Sequence, residues 1–407
     1  MAHYFLGLLS SSGYAHTYMI PFQSDGSPLS SLPSVRRIYY CSDNTLSKKP
    51  TEVPSSDFTY AHWSTLQSCH FILITVNTSD TVLCCKKLAD LLTNNKNITV
   101  FSVQRGVKNS STVKDELAGQ PGLTVVEGVV GFAVLFNQRF NTYVPTIPTT
   151  AVLFERLSAD AARVANGPLN LLESTNLTVY YRKIITPFSW GVLIFENIYS
   201  LNMVTGGTLS YTLSKRSWRL ILALMIRESI VTLLKASRGG TWHPDLMLVS
   251  SWLTPWILEM LLVFPTPLCQ LLVYFALGSL AKKQADGMGS PGLQDLAEGR
   301  KTMADWHLAE IVETGRRYGC ETSVLQLVLD AVRRLEVSTS QSTPSKPSAS
   351  NQSHDATIDK MEKDFSSLLS LRRNSHATVA EATFWFMRGL LILSIAALVL
   401  FLFLHDY

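Results

Sequence analysis

Charged side chains are scarce in this chain. Only 16% of its 407 residues are Asp, Glu, Lys or Arg, whereas 46% are hydrophobic. A plain soluble enzyme carries more charge, so this composition indicates contact with a membrane. The formal net charge of +4 is too small to indicate nucleic-acid binding, and we expect no nucleic-acid partner.

Two further absences narrow the class of protein. The six cysteines contain no Cys-x-x-Cys pair and no metal-ligand spacing with histidines, which predicts reduced thiols and no metal site. Residues 1–20 contain no Lys or Arg, which argues against a signal or transit peptide.

Glycines are also missing where a dinucleotide-binding motif would place them. An apolar run, Tyr4–Leu6, comes first, and the three glycine positions of G-x-G-x-x-G are then Gly7, Leu9 and Ser12. The second glycine lets the backbone approach a pyrophosphate, and the third lets the helix pack on the strand. Leu9 and Ser12 therefore predict a dismantled phosphate site. An ordinary buried N-terminal strand explains these residues equally well.

What is present in the first part of the chain is an alternation of strand-like and helix-like segments. The strand-like segments are rich in β-branched and aromatic residues and span Val35–Tyr40, Phe71–Val76, Ile98–Val103, Leu123–Val134 and Ala151–Phe154. Thr81–Leu92, between two of them, is helix-like. This alternation predicts an α/β domain with a doubly wound sheet.

From about Ala159 the pattern changes to long segments with helical spacing of apolar residues. These segments span Ile184–Met203, Ser217–Ser237, Leu246–Leu280, Lys301–Arg316 and Ser323–Leu335. Prolines interrupt Leu246–Leu280, and we interpret it as packed helices of an all-α domain. Contact with a membrane surface or a partner is the alternative, since a spanning hairpin tolerates such interruptions poorly.

The last seventy residues differ in composition from the rest. Residues 337–357 are rich in Ser, Thr, Pro and Gln and predict a disordered linker, and an amphipathic helix is predicted at 358–372. Residues 384–404 are almost entirely apolar, with one charge at Arg388, and are long enough to cross a bilayer core of about 30 Å. We predict a transmembrane tail; a buried core helix is the alternative.

Several short motifs recur in a characteristic order. They are Leu6–Ser12, Gln104–Lys108, Glu127–Val130, Gly191–Gly206, Ser290–Asp295 and Gly299–Trp306. Together they resemble the ketopantoate reductase (2-dehydropantoate 2-reductase) family, and within it the fungal branch. The resemblance implies a Rossmann-like domain at 1–158 and an all-α, 6-phosphogluconate-dehydrogenase-like domain at 159–336. It also implies hydride transfer from NADPH to a 2-keto acid.

The positions that carry the family's chemistry hold other residues here. The lysine that protonates the substrate carbonyl corresponds to Gly191, and the substrate glutamate corresponds to Met303. The further departures are Pro291 in place of a serine, Phe195 and Tyr199 in place of two asparagines, and Arg105 in place of the asparagine of Q-N-G. Glycine cannot donate a proton, so we expect no catalytic residue among these positions.

The resemblance also assigns the cofactor positions. They are Gly7, Leu9, Ser12, Asn77, Gln104, Arg105 and Gly106. Because two of the three glycines of the motif are lost and Asn77 stands where the family has a lysine, we expect that no cofactor binds, or NADP if one does.

We interpret the chain as a membrane-anchored, catalytically degenerate relative of these reductases that acts as an interaction or regulatory module. An active NADP-dependent 2-keto acid reductase is one alternative, and a nucleotide or ligand binder without turnover is another.

The expected partners are the membrane and an unidentified protein, with a homodimer as a further alternative. The tail predicts a single-pass protein whose N-terminal domain is cytosolic. Since no basic cluster follows the tail, we favour the endoplasmic reticulum over a mitochondrial membrane.

Overall fold

The structure is a computed structural model of the chain. It describes residues 1–11, 17–20, 37–40, 51–54, 58–92, 98–137, 142–146, 150–158, 165, 167, 169–175, 177–237, 241–249, 254–263, 290–341, 356–361 and 363–368. The chain divides into two compact units, Met1–His354 and Asp355–Tyr407. In the second unit, residues 356–361 and 363–368 are helical.

The described strands are short. They are β1 (Thr17–Met19), β2 (Arg37–Tyr40), β3 (Thr51–Pro54), β4 (Phe58–Tyr60), β5 (Phe71–Ile74), β6 (Ile98–Ser102), β7 (Leu123–Val126), β8 (Gly128–Val130), β9 (Val134–Asn137), β10 (Thr142–Pro145), β11 (Ala151–Glu155) and β12 (Thr178–Arg182). The described α-helices are α1 (Ala2–Ser11), α2 (Thr81–Leu91), α3 (Asn109–Glu116), α4 (Thr186–Thr205), α5 (Leu209–Ser214), α6 (Arg216–Ala236), α7 (Pro255–Val263), α8 (Pro291–Ala297), α9 (Ala304–Arg317) and α10 (Ser323–Gln341).

A parallel sheet of order β5-β6-β7 lies at the centre of the N-terminal part. All five residues of β6 are buried, as expected for a strand covered on both faces. A bridge between Gln104 and Val129 links the end of β6 to a second sheet, of order β12-β11-β8. The other described strands form a parallel pair, β1-β4, and a mixed sheet of order β3-β2-β10-β9.

The helical part is arranged around α4. Proline stands at the first turn of this helix, and the helix ends at Gly206, whose φ of 62° is left-handed; both are favoured signals for a helix start and end. Every residue from Phe188 to Thr205 is buried, because α6, α9 and α10 pack around α4. Most of the helices predicted from apolar spacing are confirmed within a few residues.

The segment Leu246–Leu280 is described only in part. Its α7 packs on α6, and the buried Arg219 of α6 joins them by donating to the Leu262 carbonyl at 3.2 Å. This part confirms the interpretation as packed helices, whereas residues 264–280 lie outside the described residues.

Three sequence-based expectations differ from the structure. The predicted strand at Tyr4–Leu6 is wrong, because these residues lie inside α1. The change from strands to helices comes later than Ala159, because β12 pairs in parallel with β11. Leu123–Val134 is β-rich as predicted, and contains two short strands and the start of a third. The linker predicted at 337–357 begins later, since α10 continues to Gln341.

None of the helices within the described ranges is long and apolar enough to span a bilayer. The tail predicted at 384–404 lies outside those ranges. The domain boundary predicted between residues 158 and 159 stays a prediction.

Candidate functional site

A small cavity lies where the segment after β6 meets the helical part, and we call it the reductase pocket. It is lined by residues from the segment after β6 and from α4, α8 and α9, among them Arg105, Glu196, Tyr199, Pro291, Met303 and His307. Its volume is about 20 Å³, which is room for about one water molecule.

A buried ion pair closes the reductase pocket. The Arg105 guanidinium donates through Nη1 to Glu196 Oε1 at 2.5 Å, and the two side chains are only 14% and 6% exposed. The second carboxylate oxygen of Glu196 lies 3.6 Å from His307 Nδ1. Charge-assisted pairs of this kind are short and strong, so Arg105 and Glu196 hold the N-terminal and helical parts together at this point.

Burial controls the ionisation of the other polar groups in the pocket. Burial, aided by the Arg105 charge and opposed by the Glu196 charge, lowers the pKa of His307 to about 4. The imidazole is therefore neutral near pH 7, and its Nε2 has no hydrogen-bond partner among the described residues. Burial and the neighbouring Glu196 carboxylate raise the pKa of Tyr199.

Four of the predicted substrate positions do come together. Arg105, Tyr199, Pro291 and Met303 all line the reductase pocket. Phe195 lies one turn before Tyr199 on α4 and makes an edge-to-face contact with it, with ring centroids 5.8 Å apart.

Gly191, by contrast, lies away from the reductase pocket. It packs against the backbone at Asp245, and a Cβ at this position would overlap the Asp245 carbonyl. The Asp245 N–H donates to the Pro187 carbonyl at 3.0 Å, which holds this segment against the start of α4. Glycine is therefore required here for close packing, and a lysine side chain has no room.

Sequence reasoning did not identify Glu196 and His307 as site residues. Glu196 is the single charged residue of α4. A lone charge in an apolar helix could have identified it as a candidate site residue from the sequence. No local pattern marked His307, which reaches the pocket only because α9 packs against α4.

The segment after β6 has the geometry expected of a ligand-binding turn. Gln104 is buried and donates through Nε2 to the Val76 carbonyl and to Thr81 Oγ1, both at 2.8 Å. Gly106 has a φ of 113°, a conformation that favours glycine. Ligands of doubly wound sheets bind at this carboxyl end of the strands.

Among the described residues, the other predicted cofactor positions do not form a phosphate site. Gly7 and Leu9 lie within the continuous helix α1 instead of a strand-to-helix turn, and Leu9 is 5% exposed. Asn77 is exposed and precedes a short 3₁₀ turn, Thr78–Asp80. Ser12 lies outside the described residues. The described positions Gly7, Leu9 and Asn77 do not fit a pyrophosphate, which needs backbone N–H groups that converge at a glycine turn.

A second cavity, which we call the edge groove, runs beside β5. It has a volume of about 460 Å³ and is lined by consecutive residues from Ser68 to Val76, by α1, and by Tyr18 and Ile20 at β1. In a doubly wound sheet of order 3-2-1-4-5-6, the first strand lies between two such groups of strands. Here β1, of the pair β1-β4, and β5, of the sheet β5-β6-β7, both line the groove, and no described strand pairs with this side of β5.

The described residues contain no cluster of His, Cys, Asp and Glu that could hold a metal ion. Four of the six cysteines lie in that same part of the chain, Cys69, Cys84, Cys85 and Cys320, and all four are free. Cys84 and Cys85 are buried, and burial raises the pKa of both thiols to about 12. They are therefore inert thiols of the core.

Comparisons with known proteins agree with this architecture. Residues 190–336 match the sequence profile of the ketopantoate reductase PanE/ApbA C-terminal domain. A PanE/ApbA family ketopantoate reductase from Ralstonia eutropha is similar in structure, with a TM-score of 0.56, 16% identity, and coverage of 83% of this chain and 95% of that chain. D-mandelate dehydrogenase, in a ternary structure with NADH and anilino(oxo)acetate, has a TM-score of 0.57, 11% identity, and coverage of 82% and 95%.

A third similar structure is 2-dehydropantoate 2-reductase from Geobacter metallireducens, with a TM-score of 0.54, 11% identity, and coverage of 81% of this chain and 95% of that chain. No curated protein sequence matches the chain significantly. The fungal affiliation stays a prediction. The chain therefore has the fold of the ketopantoate reductases, a Rossmann-like N-terminal part followed by a helical part, and residues 190–336 match the family's C-terminal domain.

Proposed function

We propose that this chain is a catalytically degenerate, ketopantoate-reductase-like protein that acts as an interaction or regulatory module. The observation that carries the proposal is the closed reductase pocket, whose volume of about 20 Å³ is filled on one side by the Arg105–Glu196 pair. A 2-keto acid has at least six non-hydrogen atoms and needs far more space than one water molecule.

Opening this pocket for a substrate would be costly. An incoming carboxylate that took over the Nη1 donor of Arg105 would separate it from Glu196 and would leave a buried carboxylate without its partner. Breaking a buried ion pair in this way costs about 3–5 kcal/mol. That cost opposes substrate binding in the geometry of the reductases.

The missing proton donor supports the same proposal. Gly191 stands at the lysine position and packs against the Asp245 backbone, so no side chain at that position can reach a substrate carbonyl. Loss of a general acid typically lowers the rate by about 10²–10⁴-fold.

Weak or absent binding of a nicotinamide cofactor is part of this proposal. A similar structure, D-mandelate dehydrogenase, contains NADH, so NADPH and NADH are the cofactors to test. Leu9 and the continuous helix α1 replace the phosphate turn. The described lining of the edge groove contains no Lys or Arg to meet a pyrophosphate.

An active reductase is the second candidate, and the cluster of Glu196 and His307 favours it. Buried groups with strongly shifted pKa values are concentrated in active sites. The neutral His307 could donate a proton from a ring nitrogen, a role that would replace the absent lysine.

Turnover measurements on the full-length chain separate these candidates. We expect no oxidation of NADPH or NADH above background with ketopantoate, pyruvate or phenylglyoxylate, while a bacterial ketopantoate reductase serves as the positive control. His307→Gln is the matched variant. Turnover by the unmodified chain that this substitution abolishes would establish the second candidate and refute degeneracy.

Membrane anchoring and localisation complete the proposal. Residues 384–404 would insert as a single transmembrane helix and leave residues 1–354 in the cytosol, at the endoplasmic reticulum. The apolar character of this segment supports insertion, and Arg388 at its start favours retention of that end on the cytosolic side.

A further inference from the structure

Two side chains from different elements converge on the carboxylate of Glu196. Arg105, in the segment after β6, donates through Nη1 to Glu196 Oε1 at 2.5 Å, and His307 Nδ1, on α9, lies 3.6 Å from Glu196 Oε2. Arginine is the residue that proteins favour for the recognition of a carboxylate. Because Arg105 and His307 both line the reductase pocket, Glu196 occupies the anion-recognising side of this pocket with a carboxylate of the chain itself.

Contacts other than the one with Glu196 also hold the segment that carries Arg105. Asn109 donates through Nδ2 to the Arg105 carbonyl. Lys108 forms an ion pair with Glu310 of α9, with 2.8 Å between Nζ and Oε2. We therefore expect the Arg105 guanidinium to remain beside the pocket when the Glu196 carboxylate is removed.

A second acid on the reductase pocket has a partner of its own. Asp295 also lines the pocket, but its Oδ1 accepts hydrogen bonds from Arg300 Nη2 at 2.7 Å and from Arg300 Nε at 3.0 Å. The Asp295 side chain is 23% exposed, against 6% for Glu196. Glu196 is therefore the buried carboxylate of this pocket, and it is the one that pairs with Arg105.

The part of Glu196 beyond Cβ has the size of a small carboxylate ion. Substitution by alanine removes Cγ, Cδ and both carboxylate oxygens, which are together the heavy atoms of acetate. The space so created adjoins the cavity of about 20 Å³. The Arg105 side chain is 14% exposed, so solvent reaches it. A buried guanidinium without a partner is costly, and a carboxylate ion that enters this space would restore the pair.

We propose that Glu196 is an autoinhibitory carboxylate, which occupies Arg105 in place of a small carboxylate ligand and so keeps the reductase pocket closed. The inference rests on the proposed function, because it gives the physical reason for the closed pocket. A structural ion pair that no external carboxylate can replace is the competing interpretation.

The test is a titration of the full-length variant Glu196→Ala with acetate, near neutral pH and at constant ionic strength. Thermal unfolding and saturation-transfer NMR of the acetate methyl protons measure binding, since a ligand of the folded state raises the melting temperature. We expect Glu196→Ala to bind acetate at least about tenfold more tightly than the unmodified chain. Acetamide, which has the shape of acetate without its charge, should not bind.

Two further variants separate the charge from the space. Glu196→Gln removes the charge but keeps the space filled, and we expect it to bind acetate no more tightly than the unmodified chain. The double variant Arg105→Ala, Glu196→Ala keeps the space but lacks the guanidinium, and it should not bind acetate.

Three results would overturn the proposal. Equal acetate binding by Glu196→Ala and the unmodified chain would show that Glu196 does not block the site. Equal binding by Glu196→Ala and the double variant would show that Arg105 does not hold the ion. No binding by folded Glu196→Ala would show that the pair is structural only.

The titration remains decisive if Glu196→Ala does not fold without a ligand. Recovery of the folded chain in acetate, but not in acetamide, would then support the proposal. No recovery in acetate, together with no acetate binding by Glu196→Ser, would overturn it. The titration contains no cofactor, so a negative result overturns the autoinhibitory role alone, whereas turnover by the unmodified chain refutes the proposed function.

Discussion

At the scale of single residues, the motifs identified the segments that form the pocket. They did not show which residues of each segment face it. Arg105, Tyr199, Pro291 and Met303 meet in one pocket. Gly191 does not, because it lies on the side of α4 that packs against Asp245. A helix turns by about 100° per residue, so a match along the sequence alone does not show which residues share a face with the pocket.

The close packing at Gly191 can be tested by adding a single methyl group. We expect Gly191→Ala to lower the free energy of unfolding by at least about 2 kcal/mol, because its Cβ would overlap the Asp245 backbone. Gly167→Ala is the control, since nothing lies within 4 Å of a Cβ there, and we expect a change within about 0.5 kcal/mol. Urea unfolding measures both. Equal stability of the two variants would contradict the packing seen at Gly191.

The buried His307 predicts a specific loss of stability in acid. Its pKa is about 4 in the folded chain against an ordinary value of 6.5, so the unfolded chain binds more protons between these two values. The free energy of unfolding is therefore unaffected by this group above pH 6.5. As the pH falls from 6.5 towards 4, protonation of the unfolded chain lowers the free energy of unfolding by up to about 3 kcal/mol. His3 contributes in the same direction, because burial also lowers its pKa to about 4.

The variant His307→Gln distinguishes the contribution of His307 to this acid sensitivity from that of His3. We expect the variant to lose about 2 kcal/mol less than the unmodified chain between pH 7 and pH 4.5, as measured by urea unfolding at each pH. An identical profile for His307→Gln and the unmodified chain would show that His307 is not buried in the neutral form.

At the scale of secondary-structure elements, periodicity predicted most of the described helices and the buried strands. The errors have physical reasons. Tyr4–Leu6 is too short an apolar run to distinguish a strand from a helix, and the expected glycine motif favoured the wrong choice. β12 carries Thr, Val and two Tyr residues, a composition typical of a strand. It was missed because helical spacing dominates the sequence on its C-terminal side.

Contacts between elements were not predictable from local patterns. The carboxylate of Glu228, on α6, accepts hydrogen bonds from the N–H groups of Val324 at 3.1 Å and Leu325 at 2.9 Å. It thereby caps the first turn of α10 across 96 residues of sequence. A buried negative charge also interacts favourably with the N-terminal end of a helix dipole.

Removal of this cap should weaken the packing of α10. We expect Glu228→Ala to reduce the free energy of unfolding by about 2–3 kcal/mol, since two buried N–H groups lose their acceptor. Glu313→Ala removes an exposed carboxylate that pairs with Arg317 four residues later, and should cost at most about 0.5 kcal/mol. Thermal unfolding followed by circular dichroism would measure both. A cost for Glu228→Ala no larger than that of Glu313→Ala would show that the cap is dispensable.

At the scale of the whole molecule, the order of elements follows the reductase fold. The alternation of strand-like and helix-like segments predicted the Rossmann-like part. The long segments with helical spacing of apolar residues predicted the helical part. The sequence did not predict the edge groove, because an open strand edge depends on which strands pair and not on the composition of any one strand. The same limit applies to the reductase pocket, whose small volume results from packing between α4, α8 and α9.

The last prediction concerns the apolar segment 384–404, at the C-terminal end of the sequence. We expect the full-length chain to resist extraction from membranes by alkaline carbonate, because about 20 apolar residues match the thickness of a bilayer core. Deletion of residues 384–407 should release the protein into the supernatant. Replacement of 384–404 by a Gly/Ser segment of equal length is the matched control, and it should be released as well.

The orientation and compartment of this segment can be measured in the same experiment. Arg388 and the pair Arg372 and Arg373 lie before or at the start of the apolar run, and positive charge is retained on the cytosolic side. A glycosylation acceptor added after Tyr407 should therefore be modified in the endoplasmic reticulum, whereas one added before Met1 should not. If the deletion variant still sediments with membranes, then the segment Leu246–Leu280 makes the membrane contact and the predicted anchor is wrong. If neither acceptor is glycosylated while the chain resists carbonate, the protein lies in another membrane, and the mitochondrial alternative replaces the endoplasmic reticulum.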